Sequence, residues 1–440
     1  AAFGRFDGWS LGALIIAAVV LAPMLAGLWI AFHPTENIWP HLVATVLPRY
    51  FWTTLRMMLG VGALAAAMGT GAAWLTVMFR FPGSRFLDYA LLFPLAIPAY
   101  VGAYALVDFL NYSGLLQTWM RGMMGWHSAK DYWFPEVHSE VFAIIVLASA
   151  FYPYVYLLTR SALREQSGAS YEVARALGLG PAAMFWRLGL PLVRPAIAAG
   201  VALAMMETVA DYGTVATFGV QTLTTGVFST WLNGGNAGGA AQIAMVILVM
   251  VFFLLSVERL SRRNARFHRQ SRAARPVAPM RLQGWKAAAA LALCLVPFSM
   301  GFILPVAVMA GHAIAKPSVW LADGLTAAAL NTVVVGAIAA VLTVSGALFL
   351  VYAVRMVGRK TARLVLPLTT LGYAAPGAVL AVGLLIPLAA LDHRVADAVL
   401  AVTGHDPGLL LTGTSAAIIL AYVVRFFGIA QSAVDAAFGR

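Results

Sequence analysis

Ten stretches of this chain are long and apolar enough to cross a lipid bilayer as helices, and they limit its fold more than any other feature. A spanning helix needs about 20 mostly apolar residues, because lipid cannot hydrogen-bond to an exposed backbone. Hydrophobic residues make up 61% of the chain and charged residues only 10%, which predicts an all-α polytopic membrane protein. The predicted spans are 9–32, 51–79, 86–110, 139–160, 195–218, 240–257, 286–312, 327–354, 364–390 and 413–430.

Basic residues are unequally divided between the two sets of loops that these spans define. One set contains the arginines and lysines of 80–85, 160–194, 259–286 and 355–363. The opposite set contains only Arg49, Arg121, Lys130, Lys316 and Arg394. Because basic loops stay in the cytoplasm, the first set and the N-terminus are predicted to be cytoplasmic in a bacterial inner membrane. The same rule accounts for the net charge of +12 without a nucleic-acid partner.

Residue types that build cofactor, metal or catalytic sites are sparse. The single cysteine, Cys294, excludes a disulfide framework and a cysteine-based metal site. The eight histidines lack ligand spacing, so no fixed metal site is predicted. No span pairs a nucleophile with a base, and no G-x-x-x-x-G-K-[ST] phosphate loop is present. We therefore predict a chain that is not itself an enzyme and that binds no cofactor.

The chain is predicted to consist of two similar halves, 1–257 and 286–440, joined by a basic linker at 258–285. A shift of 278 residues aligns them without a gap, so that Arg85 meets Arg363 and Pro98 meets Pro376. Equivalent points are separated by an even number of spans, which predicts parallel repeats of about six helices about a pseudo-two-fold axis. The linker is interpreted as a cytoplasmic connector; a nucleic-acid arm or a lipid-headgroup anchor is the alternative.

A polar, glycine-punctuated stretch, YEVARALGLGPAAMFWRLGLP (171–191), interrupts the first half. Ser170 is predicted to cap a short helix, with Glu172 in its first turn near the positive helix end. Gly178 can adopt the left-handed conformation that ends a helix.

A second short helix is predicted to follow at once. Gly180 and Pro181 stop the first helix and start the second, and Pro191 and Pro195 are expected to close it before the next span. The result is a helix pair outside the membrane whose small alanine faces let another protein approach closely.

The spacing of this stretch resembles the cytoplasmic coupling motif of ABC-importer permeases, which is E-A-A, three residues, G, nine residues, I-x-L-P. Val173 and Leu188 depart from that pattern by mild apolar changes. The resemblance places the coupling loop at 161–194 and assigns ATPase coupling to Glu172, Ala174, Gly178, Leu188, Leu190 and Pro191.

The resemblance implies a type I ABC importer permease fold and several partners. These are a cytoplasmic ATP-binding subunit, expected as a homodimer carrying ATP and magnesium, and a periplasmic substrate-binding protein. The shift of 278 residues maps Glu172 to a position near 450, beyond Arg440. A second coupling loop and two further spans are therefore expected to follow, making about twelve spans in all.

Four residues are candidates for the translocation pathway: Glu207, Asp211, Tyr212 and Arg56. Glu207 and Asp211 are four residues apart and would share one face of a spanning helix. They are interpreted either as a lining that tolerates a cation or as members of an internal ion pair, for example Glu207 with Arg56. The same question applies to Asp108 and Arg425.

The region around these carboxylates resembles iron(III)-importer permeases of the fused two-half type, which implies ferric iron as cargo. Carboxylate and phenolate oxygens, such as those of Asp211 and Tyr212, suit this hard ion. Relatives of the same architecture move thiamine, polyamines or aminophosphonates, which remain alternatives. An ion-gradient-driven secondary transporter is the alternative from another class, although such a carrier has no use for a coupling loop.

Overall fold

The computed structural model describes residues 8–263, 278–357, 365–370, 372 and 375–438. Within these ranges nine helices are long and apolar enough to span a membrane, and a bent helix pair is a tenth candidate. The prediction of an all-α polytopic membrane protein is confirmed. The direction in which the chain enters the membrane stays a prediction.

The helices, in chain order, account for most of the described residues. They are α1 (Gly8–Phe32), α2 (Trp39–Ala44), α3 (Leu47–Met78), α4 (Ser84–Ala90), α5 (Ala99–Leu110), α6 (Leu115–Met124), α7 (Glu140–Arg164), α8 (Gly168–Ala176), α9 (Pro181–Met184), α10 (Leu190–Ala210), α11 (Gly213–Thr217), α12 (Leu223–Phe228), α13 (Ala237–Arg263), α14 (Gly284–Phe298), α15 (Leu304–Ala315), α16 (Leu325–Val357), α17 (Gly377–Thr403) and α18 (Ser415–Phe438).

Shorter elements connect several of these helices. π-helical turns at Phe185–Gly189 and Ser299–Ile303 join α9 to α10 and α14 to α15, so each pair forms one continuous span. Two short strands, β1 (Phe79–Arg80) and β2 (Met280–Arg281), pair in parallel. No strand was predicted from the sequence, because a two-residue strand has too few residues to show an alternating pattern.

The chain forms two compact units, and each combines segments from before and after the basic linker. The first unit contains Ala1–Pro48, Leu223–Phe252 and Ser318–Arg440. In this unit α1 packs against α16 and α17, and α16 packs against α18. The two units therefore do not coincide with the two halves predicted from the sequence. The internal repeat stays a prediction.

The second unit, Arg49–Thr222 with Phe253–Pro317, contains the candidate functional site. Its central contact is between α7 and α10, where the backbones approach closely. A Cβ atom on Gly200 of α10 would lie 2.5 Å from the Cα of Val155 on α7, so only glycine fits there. Small residues at helix contacts are a general device of membrane proteins, because apolar lipid provides little driving force for association.

Three predicted spans differ from the observed helices. The span 364–390 is interrupted, because a separate helix begins at Gly377 and runs to Thr403. The span 86–110 is a bent pair, Ser84–Ala96 with Ala99–Met124, whose parts meet at 94°. The span 195–218 ends as a helix at Ala210.

The two matched prolines do not lie inside spans as predicted. Pro98 caps α5 and Pro376 caps α17, with nearly the same backbone angles (φ −57° and ψ 137°; φ −58° and ψ 150°). The physical reason is that proline disfavours the helical conformation in the residue before it, so a new helix starts at proline. Arg363, the predicted match of Arg85, lies outside the described residues.

Candidate functional site

The candidate site is the segment that contains α8, which is predicted to be cytoplasmic. The helix begins at Gly168 behind an extended Ser167 (φ −69°, ψ 126°), so the predictions of Ser170 as N-cap and Glu172 in the first turn are wrong. Ser170 lies inside the first turn, and Glu172 is the fifth helical residue. Serine is a good N-cap at either position, and the earlier start places Tyr171 on the buried side of the helix.

Tyr171 anchors α8 in the core of the second unit. Its side chain is 1% exposed, and its ring centroid lies 6.2 Å from that of Trp74 on α3. The hydroxyl group donates a hydrogen bond to Gln166 Oε1, and burial raises the pKa of Tyr171 to about 12. The phenol is therefore a neutral donor at physiological pH. Ala174, one turn further along, is also buried, so these two residues define the attached side of α8.

The C-terminus of α8 is closed by a Schellman motif around Gly178. The Gly178 N–H donates to the Arg175 carbonyl at 2.9 Å, and the Leu179 N–H donates to the Ala174 carbonyl at 3.0 Å. Gly178 has φ +80°, which confirms the predicted left-handed conformation. Glycine is favoured there because a Cβ atom strains this backbone.

The opposite side of α8 is exposed and largely apolar. We call it the docking face, and it consists of Ala169, Glu172, Val173, Ala176 and Leu177. The spacing of 3, 4, 7 and 8 residues from Ala169 places all five on one side of the helix. Val173 is 59% exposed and Leu177 is 77% exposed. Exposed apolar side chains grouped in this way typically contact another protein.

The helix pair predicted outside the membrane is observed only in its first member. Pro181 starts α9 behind Gly180 as predicted, but Pro191 and Pro195 do not close the second helix. Pro191 and Pro195 both lie inside the continuous helical span Pro181–Ala210, which α9 and α10 form together. Membrane helices tolerate such prolines because neighbouring groups satisfy the freed carbonyl.

The remaining motif residues lie where α9 passes into α10. Leu188 is half-buried against the same core cluster as Tyr171 and Trp74. Leu190 is the first residue of α10, and it is half-buried as well. Of the motif residues, Glu172 and Gly178 are therefore exposed. The others are buried or half-buried and attach the segment to the core: Ala174, Leu188, Leu190 and Pro191.

Gly189 brings the start of α10 against Trp74, and we expect Gly189→Ala to weaken this attachment. A Cβ atom would lie 2.4 Å from Trp74 Cζ3, so the indole ring must move. Overpacking of this kind costs about 1–3 kcal/mol in the free energy of unfolding, which a denaturant titration in detergent would measure. Gly180→Ala is the control, because a Cβ atom there meets nothing within 4 Å. Equal stability of the two variants would contradict this interpretation.

A charged cluster holds the end of α7 from which the segment that contains α8 emerges. Asp88 on α4 accepts hydrogen bonds from Arg160 at 2.6 Å and 2.7 Å and from Arg164 at 2.6 Å. The Tyr156 hydroxyl donates to the Asp88 carbonyl at 3.0 Å. The Asp88 side chain is 13% exposed and that of Arg160 is 11% exposed, so this pair is largely shielded from water.

The role of Asp88 was not predicted from the sequence. The four-residue spacing of Arg160 and Arg164 on one helix face was the available signal for a shared carboxylate partner. That signal did not identify the partner, because Asp88 lies 72 residues before Arg160 in the sequence.

The predicted pathway residues do not share one helix face. Asp211 is the extended residue that ends α10 (φ −71°, ψ 130°), whereas Glu207 lies inside the helix. Asp211 accepts hydrogen bonds from the N–H groups of Thr214 at 2.9 Å and Val215 at 3.2 Å. The Asp211 carboxylate thus accepts from free backbone N–H groups at the start of α11. Asp211 therefore lies between two helices, and its side chain does not share a helix face with Glu207.

Arg56 pairs with a different carboxylate from the one proposed. It donates to both carboxylate oxygens of Glu140 at 2.9 Å, which corrects the suggested pair with Glu207. Two parallel hydrogen bonds make a guanidinium–carboxylate pair stronger than a single bond would. Glu140 is also the first residue of α7, where the helix dipole favours a negative charge.

The other intramembrane charges also have partners. His312 Nε2 lies within hydrogen-bond distance of Asp108 Oδ2, at 2.9 Å. Arg425 donates a hydrogen bond to the carbonyl of Ala375. Tyr212 is 43% exposed. Among the described residues no group of three or more histidine, cysteine, aspartate or glutamate side chains could hold a metal ion.

A second structural carboxylate, Asp392, was also missed. It is 1% exposed and accepts hydrogen bonds from the backbone N–H groups of Leu410, Leu411 and Thr412 at 2.6–3.2 Å. Asp392 therefore fixes the loop between α17 and α18, which lies on the predicted extracytoplasmic side. The Thr412 hydroxyl also donates to Asp392, but the other partners are backbone N–H groups, so the residue types in the loop do not identify the contact.

Comparison with known proteins finds a family model that matches a region containing the candidate site. Residues 58–266 match the family "Binding-protein-dependent transport system inner membrane component". A probable sulfate transport system permease protein of Marchantia polymorpha is 26% identical over 42% of this chain and 63% of its own length. An Fe(3+)-transport system permease protein of Haemophilus influenzae is 28% identical over 40% of this chain and 30% of its own length.

Other relatives extend the range of named cargoes. A molybdenum transport system permease protein of Escherichia coli K12 is 29% identical over 38% of this chain and 71% of its own length. A chain of a bacterial alginate ABC transporter, solved with a periplasmic protein carrying an alginate pentasaccharide, has a TM-score of 0.44 and 17% identity over 54% of this chain and 87% of its own. The match therefore spans just under two thirds of the sulfate relative and under a third of the ferric-iron relative.

Proposed function

We propose that this chain, in which residues 58–266 match the family of binding-protein-dependent transport system inner membrane components, is the permease subunit of an ATP-driven importer. The single observation that carries the proposal is the docking face of α8. It is exposed and apolar, lies within the family match, and is attached to the membrane core only through its other side.

The partner on the docking face is a cytoplasmic ATP-binding subunit, which carries ATP and magnesium. Glu172 contributes the one charge of the docking face, and Gly178 permits the sharp end of the helix. ATP-driven movement of the partner reaches the spans through Tyr171, which contacts Trp74 on α3 at a centroid distance of 6.2 Å. This chain provides the docking face and the helix α8 that transmits the movement, and the partner hydrolyses ATP.

A periplasmic binding protein is the second proposed partner, and it would deliver cargo to the extracytoplasmic loops. The loop that Asp392 fixes between α17 and α18 is one candidate contact. An ordered loop loses less conformational entropy on binding than a mobile loop, which favours such a role.

Ferric iron is the proposed cargo, and an oxyanion such as sulfate or molybdate is the second candidate. The Haemophilus influenzae relative supports the first, and the relatives named for sulfate and molybdenum support the second. Glu207, Asp211 and Tyr212 favour the cation, because hard cations prefer carboxylate and phenolate oxygen. Carboxylates in a pathway would repel an oxyanion.

The cargo is tested by uptake into cells that lack their own importers and that express this chain with its ATPase and its binding protein. Radioactive ferric iron, sulfate and molybdate are supplied in separate assays. We expect uptake of iron alone. Uptake of sulfate or molybdate with no iron uptake would reassign the cargo and leave the importer class unchanged.

We further expect the double substitution Glu207→Gln and Asp211→Asn to reduce iron uptake about tenfold or more while the complex still assembles. Two intramembrane carboxylates usually serve a pathway, and both substituted side chains keep an oxygen acceptor for structural bonds. The control is Glu140→Gln, which removes the negative charge beside Arg56 and leaves Glu207 and Asp211 intact. Unchanged uptake in the double variant would make the two carboxylates structural.

A further inference from the structure

A basic cavity opens at the predicted cytoplasmic side of the second unit, at the ends of three membrane segments. It has a volume of about 820 Å³ and is lined by residues 80–86, 279 and 281–283. The pairing of β1 with β2 creates it, because Arg80 and Arg281 become register partners although they are 201 residues apart in the sequence. We call it the arginine cavity.

The charge of this lining is one-sided. Its described residues include Arg80, Arg85 and Arg281, all exposed, and no carboxylate. Arg80 contacts the Thr76 carbonyl at 3.5 Å, at the end of α3. Arginines grouped without a carboxylate repel one another, and an anion with several acceptor oxygens removes that repulsion.

The position of the cavity favours a lipid over a soluble anion. α3 ends at Met78, α4 begins at Ser84, and α14 begins at Gly284, so the cavity lies where these membrane segments end. Phe86 in its lining is 61% exposed, and Trp285 beside it in the sequence is 76% exposed. Exposed aromatic residues at helix ends are typical of the membrane interface, and grouped basic residues there attract anionic headgroups.

We propose that the arginine cavity binds the phosphodiester headgroup of an anionic phospholipid of the cytoplasmic leaflet. The guanidinium groups of Arg85 and Arg281 contact the phosphate, and Phe86 faces the acyl chains. The site also adjoins the coupling segment, since Arg175 of α8 donates to the carbonyl of Ala278 at 3.3 Å, next to Pro279 of the lining. The bound lipid thus steadies the backbone to which α8 is attached.

The proposal is tested on the full chain purified in mild detergent, independently of transport. The chain is mixed with phosphatidylglycerol or phosphatidylcholine, and retained lipid is counted by native mass spectrometry. We expect R85Q/R281Q to lower phosphatidylglycerol affinity about 25-fold, because each interfacial arginine contributes about fivefold. Phosphatidylcholine retention should not change. The matched control R187Q/R194Q removes the same charge from exposed positions outside this lining and should retain phosphatidylglycerol.

Two results would overturn the proposal. One is equal loss of phosphatidylglycerol in the control and the cavity variant, which would reduce the effect to net charge. The other is displacement of the bound lipid by excess inorganic phosphate, which would assign the cavity to a soluble phosphate. If R85Q/R281Q does not fold, Arg281→Gln alone is used, because that side chain is exposed and β2 pairs through its backbone; a loss of about fivefold is then expected.

Discussion

Gly178→Asp is expected to leave the protein in the membrane and to lower co-purification of its ATP-binding partner at least tenfold. A side chain in the left-handed conformation strains the Schellman motif by about 1–2 kcal/mol, which by itself changes an affinity about tenfold. The new carboxylate adds a second negative charge at the end of an otherwise apolar docking face, six residues after Glu172. The measurement is the ratio of ATPase to permease after affinity purification.

The control is Gly125→Asp, which places the same residue in the same kind of backbone elsewhere. Gly125 ends α6 at φ +69°, is exposed, and like Gly178 has nothing within 4 Å of an added Cβ atom. It lies on the predicted extracytoplasmic side, so its substitution should preserve the complex. A full complex with Gly178→Asp, or equal loss in both variants, would contradict the assignment of the docking face.

Asp88→Asn is expected to lower the free energy of unfolding by about 3 kcal/mol, the largest stability effect of any single substitution considered. The amide keeps the shape of the side chain and removes the negative charge between Arg160 and Arg164. Removal of one partner from a buried ion pair leaves an uncompensated charge. A denaturant titration in detergent would measure this change.

Asp435→Asn provides the comparison for this prediction. Asp435 pairs with Arg355 at 2.7 Å, but the two side chains are 44% and 39% exposed. Exposed ion pairs contribute about 1 kcal/mol or less. If the two variants lose similar stability, the cluster around Asp88 does not hold the end of α7 as described.

The sequence predicted those features that depend on composition and local conformation. The apolar stretches predicted the spans, because a lipid-facing helix must be apolar along about 20 residues. The left-handed Gly178 and the start of α9 at Pro181 were also predictable, because glycine and proline have restricted roles at helix ends. The N-cap prediction at Ser170 was wrong because Ser167 is an equally good capping residue three positions earlier. The helix end predicted at Pro195 was wrong because membrane helices tolerate an internal proline.

Features that depend on contacts between distant residues were not predictable. Asp88 on α4 meets Arg160 on α7, and Asp392 meets the Thr412 hydroxyl and three backbone N–H groups, which have no sequence signature. The pairing of β1 with β2 involves four residues and creates the arginine cavity. In each case the partner is selected by tertiary packing, which a single sequence does not record.

The central claim is that α8 receives mechanical work from a separate ATPase, and transport by proteoliposomes tests it most directly. The chain is reconstituted with its binding protein and cargo, with and without the ATP-binding subunit. The account predicts uptake only when that subunit and ATP are both present, and loss of uptake when vanadate is added. Uptake driven by an ion gradient in the absence of the subunit would contradict it.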